Sequence, residues 1–275
     1  MSDARPFRRR ALPLGGPAQG AKGVQCGTLV LMPNALDLGA TEVDLRDVLP
    51  HGVIRRAAAL RHWAAEDARS ARAFLKRVGA LEPLALPLQE ISIRELPRPR
   101  KGSRESVPVH EWQTLLQPAM QGHDLGLISE AGLPAVADPG SALVAAAHAA
   151  GVPVLPLCGP SSLLLALAAS GLNGQSFAFV GYLPQEAAPR ATRLRELETQ
   201  SRKWTQTQLF IETPYRNAAL LSALLETLSP ATRLSVSCGL TLPTGWSKSA
   251  SVSAWREQEV QMPDRLPAVF GLLAT

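Results

Sequence analysis

The chain has 275 residues, 46% of them hydrophobic and 19% charged, with a formal net charge of +5. The length points to two domains or one large one, and the apolar content excludes a wholly disordered protein. Residues 1–25 hold five bases (Arg5, Arg8, Arg9, Arg10, Lys22) against one acid, Asp3, so residues 26–275 balance at +1, which argues against a globally basic nucleic-acid-binding domain and leaves room for a local basic patch.

In chain order, residues 1–25 read as an Arg-rich disordered arm with no apolar core of a signal peptide. Its Gly16–Gly23 stretch lacks the spacing of a phosphate loop. Thr28–Met32 has strand length and apolarity. Residues 55–77 fit either one helix or a buried strand through Trp63–Ala65 followed by a helix capped by Asp67. Residues 94–104 form a loop with five bases against one acid. Leu125–Ser129 is a buried strand, and Asp138-Pro139 predicts a helix opening with Asp as N-cap and Pro in the first turn, running to Gly151. Val152–Leu157 is a strand, and Ser161 or Ser162 caps a helix ending at Gly171. This strand, loop, helix alternation predicts a parallel α/β sheet. Beyond it, Phe177–Val180, Gln208–Glu212, Leu234–Cys238 and Val269–Ala274 read as strands, with helices at Arg190–Ser201 and Asn217–Leu228. The domain boundary is expected at 172–176, giving an N-terminal domain over 26–173 and a C-terminal domain over 174–275.

Three dispersed cysteines and five histidines without metal spacing predict neither disulfides nor a metal site. No apolar run reaches the roughly 18–20 residues of a membrane-spanning helix, so a cytoplasmic protein is expected. In parallel sheets, ligands bind beyond the carboxyl ends of the strands. Those ends carry Ser129–Pro134 and Leu157–Ser162, each with a glycine and each leading to a helix N-terminus suited to a carboxylate or phosphate. No G-x-G-x-x-G follows a strand, which argues against a dinucleotide-binding fold. Glu66, Asp67 and Arg69 form a charged cluster at another strand end, and Glu212–Arg216 marks a further one.

Six segments occur in order: Ala65-Glu66-Asp67-Ala68-Arg69, Leu127-Ile128-Ser129-Glu130-Ala131-Gly132-Leu133-Pro134, Ala137-Asp138-Pro139-Gly140, Pro156-Leu157-Cys158-Gly159-Pro160-Ser161, Phe179-Val180-Gly181-Tyr182-Leu183-Pro184 and Phe210-Ile211-Glu212-Thr213-Pro214-Tyr215-Arg216. Together they resemble the tetrapyrrole methylase superfamily of S-adenosylmethionine-dependent methyltransferases, and within it the branch of ribosomal RNA small-subunit methyltransferases I, which act on a ribose 2′-hydroxyl. The resemblance implies a two-domain α/β fold, with a mostly parallel N-terminal sheet, a mixed C-terminal sheet and S-adenosyl-L-methionine in the cleft between them. It also implies a homodimer acting on ribosomal RNA. The implied cofactor contacts are Pro33, Ser129, Glu130, Ala131, Gly132, Pro134, Gly159, Pro160, Ser161, Ser162, Leu240, Pro267 and Ala268. Glu66 and Asp67 are candidates for base or orienter, and Arg69 for a phosphate contact or a partner to them.

The sequence departs from the family pattern at Pro33-Asn34-Ala35-Leu36, which lacks a glycine, and at Glu130 and Leu133, which replace Asp and Thr. Gly239 and Leu242 stand where Glu and Lys are expected. Two other readings therefore stay open: a small-molecule, tetrapyrrole-like methyltransferase, and an S-adenosylmethionine-binding paralogue without methylation activity. For an RNA substrate, the Arg-rich arm, the 94–104 loop and residues 55–77, with seven bases against two acids, are the candidate contacts.

Overall fold

The computed structural model describes residues 26–37, 43–99 and 107–275. The Arg-rich arm, its Gly16–Gly23 stretch and the Arg100–Arg104 part of the basic loop lie outside the described residues.

The first half holds β1 (Leu29–Met32), α1 (His51–Ala59), β2 (His62–Ala65), α2 (Ala68–Gly79), β3 (Ser92–Glu95), α3 (Val109–Met120), β4 (Leu125–Ile128), α4 (Ser141–Ala149), β5 (Val154–Pro156) and α5 (Ser162–Ser170). Its five strands are ordered β3-β2-β4-β1-β5 and every pairing is parallel. Strand periodicity sorts the side chains into two cores. Val30, Met32, Trp63, Ala65 and Ile128 face α1 and α2, where Val53, Ile54, Phe74, Leu75 and Val78 are buried. Leu29, Ala64, Leu125 and Leu127 face α3 and α4, meeting Leu115, Leu116, Ala119, Leu143 and Ala147. With both faces covered, the strands need apolar residues throughout, as Leu-Gly-Leu-Ile in β4 shows. Gly126 is required there: a Cβ would come within 2.7 Å of the Trp63 indole.

The second half holds β6 (Phe177–Tyr182), α6 (Ala187–Trp204), β7 (Thr207–Glu212), α7 (Asn217–Thr227), β8 (Arg233–Cys238), β9 (Trp246–Ser251), α8 (Val252–Arg256) and β10 (Ala268–Leu273). Its order is β6-β7-β10-β8-β9, with β6 parallel to β7 and the other pairs antiparallel. One face buries Phe210 stacked on Phe270 against Leu194, Leu197, Leu220 and Leu224 of α6 and α7. The opposite face carries Val269, Phe179 and Ile211, and covers them with Leu163 and Ala166 of α5. A helix that follows the first sheet thus packs on the second and sets the two sheets side by side.

The expected α/β class, parallel first sheet and mixed second sheet are all present. Of the two readings for residues 55–77, the strand-then-helix one is the structure. The prediction for Asp138 was wrong. α4 begins at Ser141 with Gly140 as N-cap, at φ 131 and without a side-chain cap bond. The chain stays irregular through Pro139, so the Asp138 carboxyl is free of the helix. The strand expected over Val152–Leu157 is shorter, Val154–Pro156. Helices α1, α3 and α8 and strands β3 and β9 were not anticipated, and β3 takes in Arg94 and Glu95 from the segment expected as a loop.

Candidate functional site

Parallel strands bring their carboxyl ends to one edge of the first sheet. There the loops after β1, β2, β4 and β5 meet the ends of β6, β7 and β10 around a cavity of about 910 Å³. That volume suits a ligand of cofactor size.

Asn34, just past β1, ties the loops together. Its N–H donates to the Gly132 carbonyl at 2.9 Å, and its carbonyl accepts from the Gly132 N–H at 3.1 Å. Its side-chain amide donates to the carbonyls of Ser129 (3.2 Å) and Glu130 (2.9 Å). Pro33 lies against Gly159, where a Cβ would fall 2.2 Å from the proline Cβ. Gly132, at φ +67, takes a conformation that disfavours other residues, and a Cβ there would meet Leu36 at 3.3 Å. These two glycines let the β4 and β5 loops close on the β1 loop.

The expected cofactor residues divide into two groups. Glu130, Ala131, Gly132, Ser161, Ser162, Leu240, Pro267 and Ala268 line the cavity. Pro33, Ser129, Pro134, Gly159 and Pro160 are not among its lining residues and shape the loops behind it. Ser161 caps α5 in extended conformation without a side-chain hydrogen bond, so the first-turn N–H groups of α5 remain for a ligand.

Glu66 also lines the cavity, and its Oε2 accepts from the Glu130 N–H at 3.2 Å. Asp67 and Arg69 are not among the lining residues. Asp67 caps α2: its Oδ1 accepts from the Ser70 N–H at 2.7 Å, and that bond holds the carboxyl below its ordinary range. Arg69 is exposed on the first turn of α2.

Several further residues at the cavity were not among the candidate site residues of the sequence. Arg77 pairs with buried Asp37 at 2.7 Å and donates to the Val43 carbonyl at 2.8 Å. Buried Glu212, at the end of β7, accepts from Arg216 at 2.5 Å and from the Thr213 N–H at 2.7 Å. Asp138 faces the cavity, half-buried, and is pushed up to about 7 by burial first and then by Glu66 and Glu130. Tyr182 is raised by burial and by the charges of Asp138 and Glu212, against the opposing effect of Arg216. The signals for Asp138, Tyr182 and Glu212 were their places in the six ordered segments.

Two of the cavity carboxylates are neutralised in the Asp37–Arg77 and Glu212–Arg216 pairs. Glu66, Glu130 and Asp138 form no ion pair among the described residues, and Lys76 lines the same cavity. Apolar walls come from Leu133, Leu163, Ile211 and Val269. This donor set suits a ligand with a positive charge, a carboxylate for the α5 N-terminus and a flat apolar body.

The basic stretch over 55–77 is divided by the fold. Arg56 pairs with Asp124 at 2.8 Å, at the amino ends of the strands, and Arg77 is spent on Asp37. On the cavity side stand Arg69, Lys76 and Arg98, the last donating to the Glu66 carbonyl at 3.0 Å. The missing charges late in the chain also have a structural context. Gly239 turns at φ +59, and a Cβ would lie 2.9 Å from Leu266 Cδ1. A glutamate cannot take that position without displacing Leu266, while the turn delivers Leu240 to the cavity.

No family model matches the chain. Its sequence is similar to the ribosomal RNA small subunit methyltransferase I of Xylella fastidiosa, 33% identical over 199 residues, spanning 70% of this chain and 63% of that protein. It is 40% identical over 116 residues to the protein of the same name from Vibrio cholerae, spanning 42% of this chain and 39% of the relative. The match to the Pseudomonas aeruginosa protein of that name is 35% over 175 residues, spanning 63% of this chain and 54% of the relative. The chain thus spans between 39% and 63% of the length of these relatives. Among solved structures it is similar to the methyltransferase CobJ, with a TM-score of 0.52 and 18% identity over 90% of this chain and all of that one. The sequence relatives thus carry the name of the branch that the six segments resemble, and the fold is like that of the methyltransferase CobJ.

Proposed function

We propose that this chain, similar in sequence to ribosomal RNA small subunit methyltransferases I and folded as a tetrapyrrole methylase, is an S-adenosylmethionine-dependent methyltransferase that modifies a ribose 2′-hydroxyl of small-subunit ribosomal RNA. The observation that carries this reading is the cavity. It joins three carboxylates outside ion pairs, an open helix N-terminus and a glycine-shaped cradle, in a chain 33% identical over 199 residues to such an enzyme.

S-adenosylmethionine would supply an electrophilic methyl group on a sulfonium. The carboxylates of Glu66 and Glu130 match the positive charge, and the α5 N–H groups at Ser161 and Ser162 match the carboxylate. Ala131, Gly132, Leu240, Pro267 and Ala268 wall the site, while Pro33, Ser129, Pro134, Gly159 and Pro160 hold the loops in shape. In-line displacement depends on alignment, which the Asn34 clamp between the β1 and β4 loops provides. Of the three candidate catalytic residues, Glu66 touches the cavity, Asp67 positions α2, and Arg69 with Arg98 is placed to meet an RNA phosphate. We place the domains at 26–173 and 174–275, since the first sheet ends at Pro156 and the second begins at Phe177. The protein acts as a cytoplasmic homodimer in this reading; exposed Leu155, Leu164 and Leu165 on β5 and α5 supply an apolar face for a second copy.

Nucleoside mass spectrometry of small-subunit RNA from cells with and without the gene tests the assignment. Loss of one 2′-O-methylated nucleoside on deletion, restored by the gene, is the expected result. An unchanged modification profile refutes it.

A further inference from the structure

The loop between β4 and α4 is strained on both sides of one carboxyl group. Gly132, Ala135, Ala137 and Gly140 all have positive φ, at 67°, 67°, 64° and 131°. For the two alanines this left-handed conformation is sterically unfavourable. Such residues persist where their surroundings over-determine them, and they mark functional loops more often than ordinary ones. Asp138 is the single ionisable residue between Ala131 and Gly140. It lines the cavity and makes no hydrogen bond or ion pair with a described residue. Of the other carboxylates at this edge, Asp67 caps α2, Glu66 accepts from the Glu130 N–H, Asp37 holds Arg77 and Glu212 holds Arg216; Glu130 is exposed to solvent and meets the Ser70 hydroxyl at 3.5 Å, whereas Asp138 is half-buried.

We propose that Asp138 is the proton acceptor of the methyl transfer, a catalytic residue for the reaction assigned above; the inference rests on that RNA methyltransferase reading. As the ribose oxygen forms its bond to the methyl carbon, the proton of the hydroxyl passes to an Asp138 carboxylate oxygen. The O–H electron pair stays on oxygen. The carbon–sulfur bond of the methylsulfonium donor breaks with its pair going to sulfur. The products are a methyl ether, a neutral thioether and a protonated Asp138, which returns its proton to water.

The groups facing Asp138 set its proton affinity. Glu66 from the β2 loop and Glu130 from the β4 loop raise it, adding to burial, and so keep the carboxyl near neutrality, where a base is most effective. Tyr182 on β6 is raised in turn by Asp138. Lys76, the Asp37–Arg77 pair and Glu212, held by Arg216 behind it, complete the charged lining. A base with no hydrogen bond of its own is free to accept one from a substrate hydroxyl.

The test is the pH profile of kcat/KM for methyl transfer to small-subunit RNA by the full chain, alongside calorimetric titration with S-adenosylmethionine. The wild type is expected to lose activity as pH falls through about 7. Asp138→Asn should lower kcat/KM by about 10²–10⁴-fold and abolish that limb, with cofactor affinity unchanged. Asp138→Glu should restore part of the rate. Glu66→Gln removes a like charge and should move the limb to lower pH, a readout that keeps Asp138 in place should Asp138→Asn fail to fold. Asp138→Asn with wild-type rate and limb overturns the inference, as does parallel loss of cofactor binding, which would make Asp138 a cofactor ligand. A wild-type protein that binds cofactor and methylates no RNA overturns the functional reading itself, and the inference with it.

Discussion

The environment of Asp138 makes a prediction about stability that needs no substrate. Its carboxyl is pushed from 3.8 to about 7 in the folded chain, mainly by burial and then by Glu66 and Glu130. A group whose folded pKa is raised contributes stability that is fully present below the unfolded pKa and is lost as pH rises toward the folded one. Wild-type protein should therefore lose stability relative to Asp138→Asn between pH 4 and about 7, and the gap should then level off. A shift of about three pH units corresponds to about 4 kcal/mol at 1.36 kcal/mol per unit. The side chain is only half-buried, so solvent screening reduces this to about 1–2 kcal/mol.

The assay is paired thermal melts of wild type and Asp138→Asn at several pH values from 4.5 to 8.5. At the alkaline end the variant should melt higher by about 2–8 °C, given about 2–4 °C per kcal/mol for a chain of this size. At the acid end the two should converge. Taking the difference between the two proteins cancels the titrating groups remote from Asp138 and leaves Asp138 with the neighbours it is coupled to, Glu66 and Glu130. A melting difference that stays constant across the range would show that Asp138 titrates like a solvated carboxyl, and the account of its burial and neighbours would be wrong.

Two further substitutions separate roles within the site. Asp67→Ala removes the α2 cap and should destabilise the protein by about 1 kcal/mol in denaturant melts, with methyl transfer per folded molecule retained; loss of turnover without loss of stability would return Asp67 to the chemistry. Gly159→Ala places a Cβ 2.2 Å from that of Pro33, so the β5 loop must retreat from the β1 loop. Calorimetry should show cofactor binding weakened at least about tenfold, with about 1–3 kcal/mol lost in stability; full affinity would mean that the two loops need not touch.

The parallel sheet was legible because its strands are buried on both faces, and an uninterrupted apolar run such as Leu125–Ile128 can be read directly. Gly171 ends α5 in the left-handed conformation that its sequence position foretold. Strand β9, Trp-Ser-Lys-Ser-Ala-Ser, was not legible: it is an edge strand with partly exposed side chains, and its polar sequence carries no apolar run. Helix α3 was obscured by Pro118 within it and by the basic loop before it. Asn34 was passed over because its role is to bind main-chain groups about 95 residues away, a contact that exists only once β1 and β4 are neighbours.

Asp67 and Asp138 look alike in sequence, each a carboxylate shortly before an Ala-containing helix, and helix-capping logic assigns both the same task. The backbone separates them. Asp67 is extended, at φ −139 and ψ 128, which sets its Oδ1 on the Ser70 N–H. At Asp138, left-handed Ala137 precedes and Pro139-Gly140 follows, so the helix starts three residues later and its end is capped by a glycine without a side-chain acceptor. One carboxyl is bound by N–H groups and becomes a weaker base. The other is turned toward a cavity already lined with Glu66 and Glu130 and becomes a stronger one. The difference in proton affinity is thus produced by where two helices begin, which depends on tertiary packing around Gly140, whose Cβ would meet Leu127 at 3.1 Å. A residue next to a strand-end loop is better judged by whether the backbone gives it an N–H to cap than by its distance from the next helix in sequence.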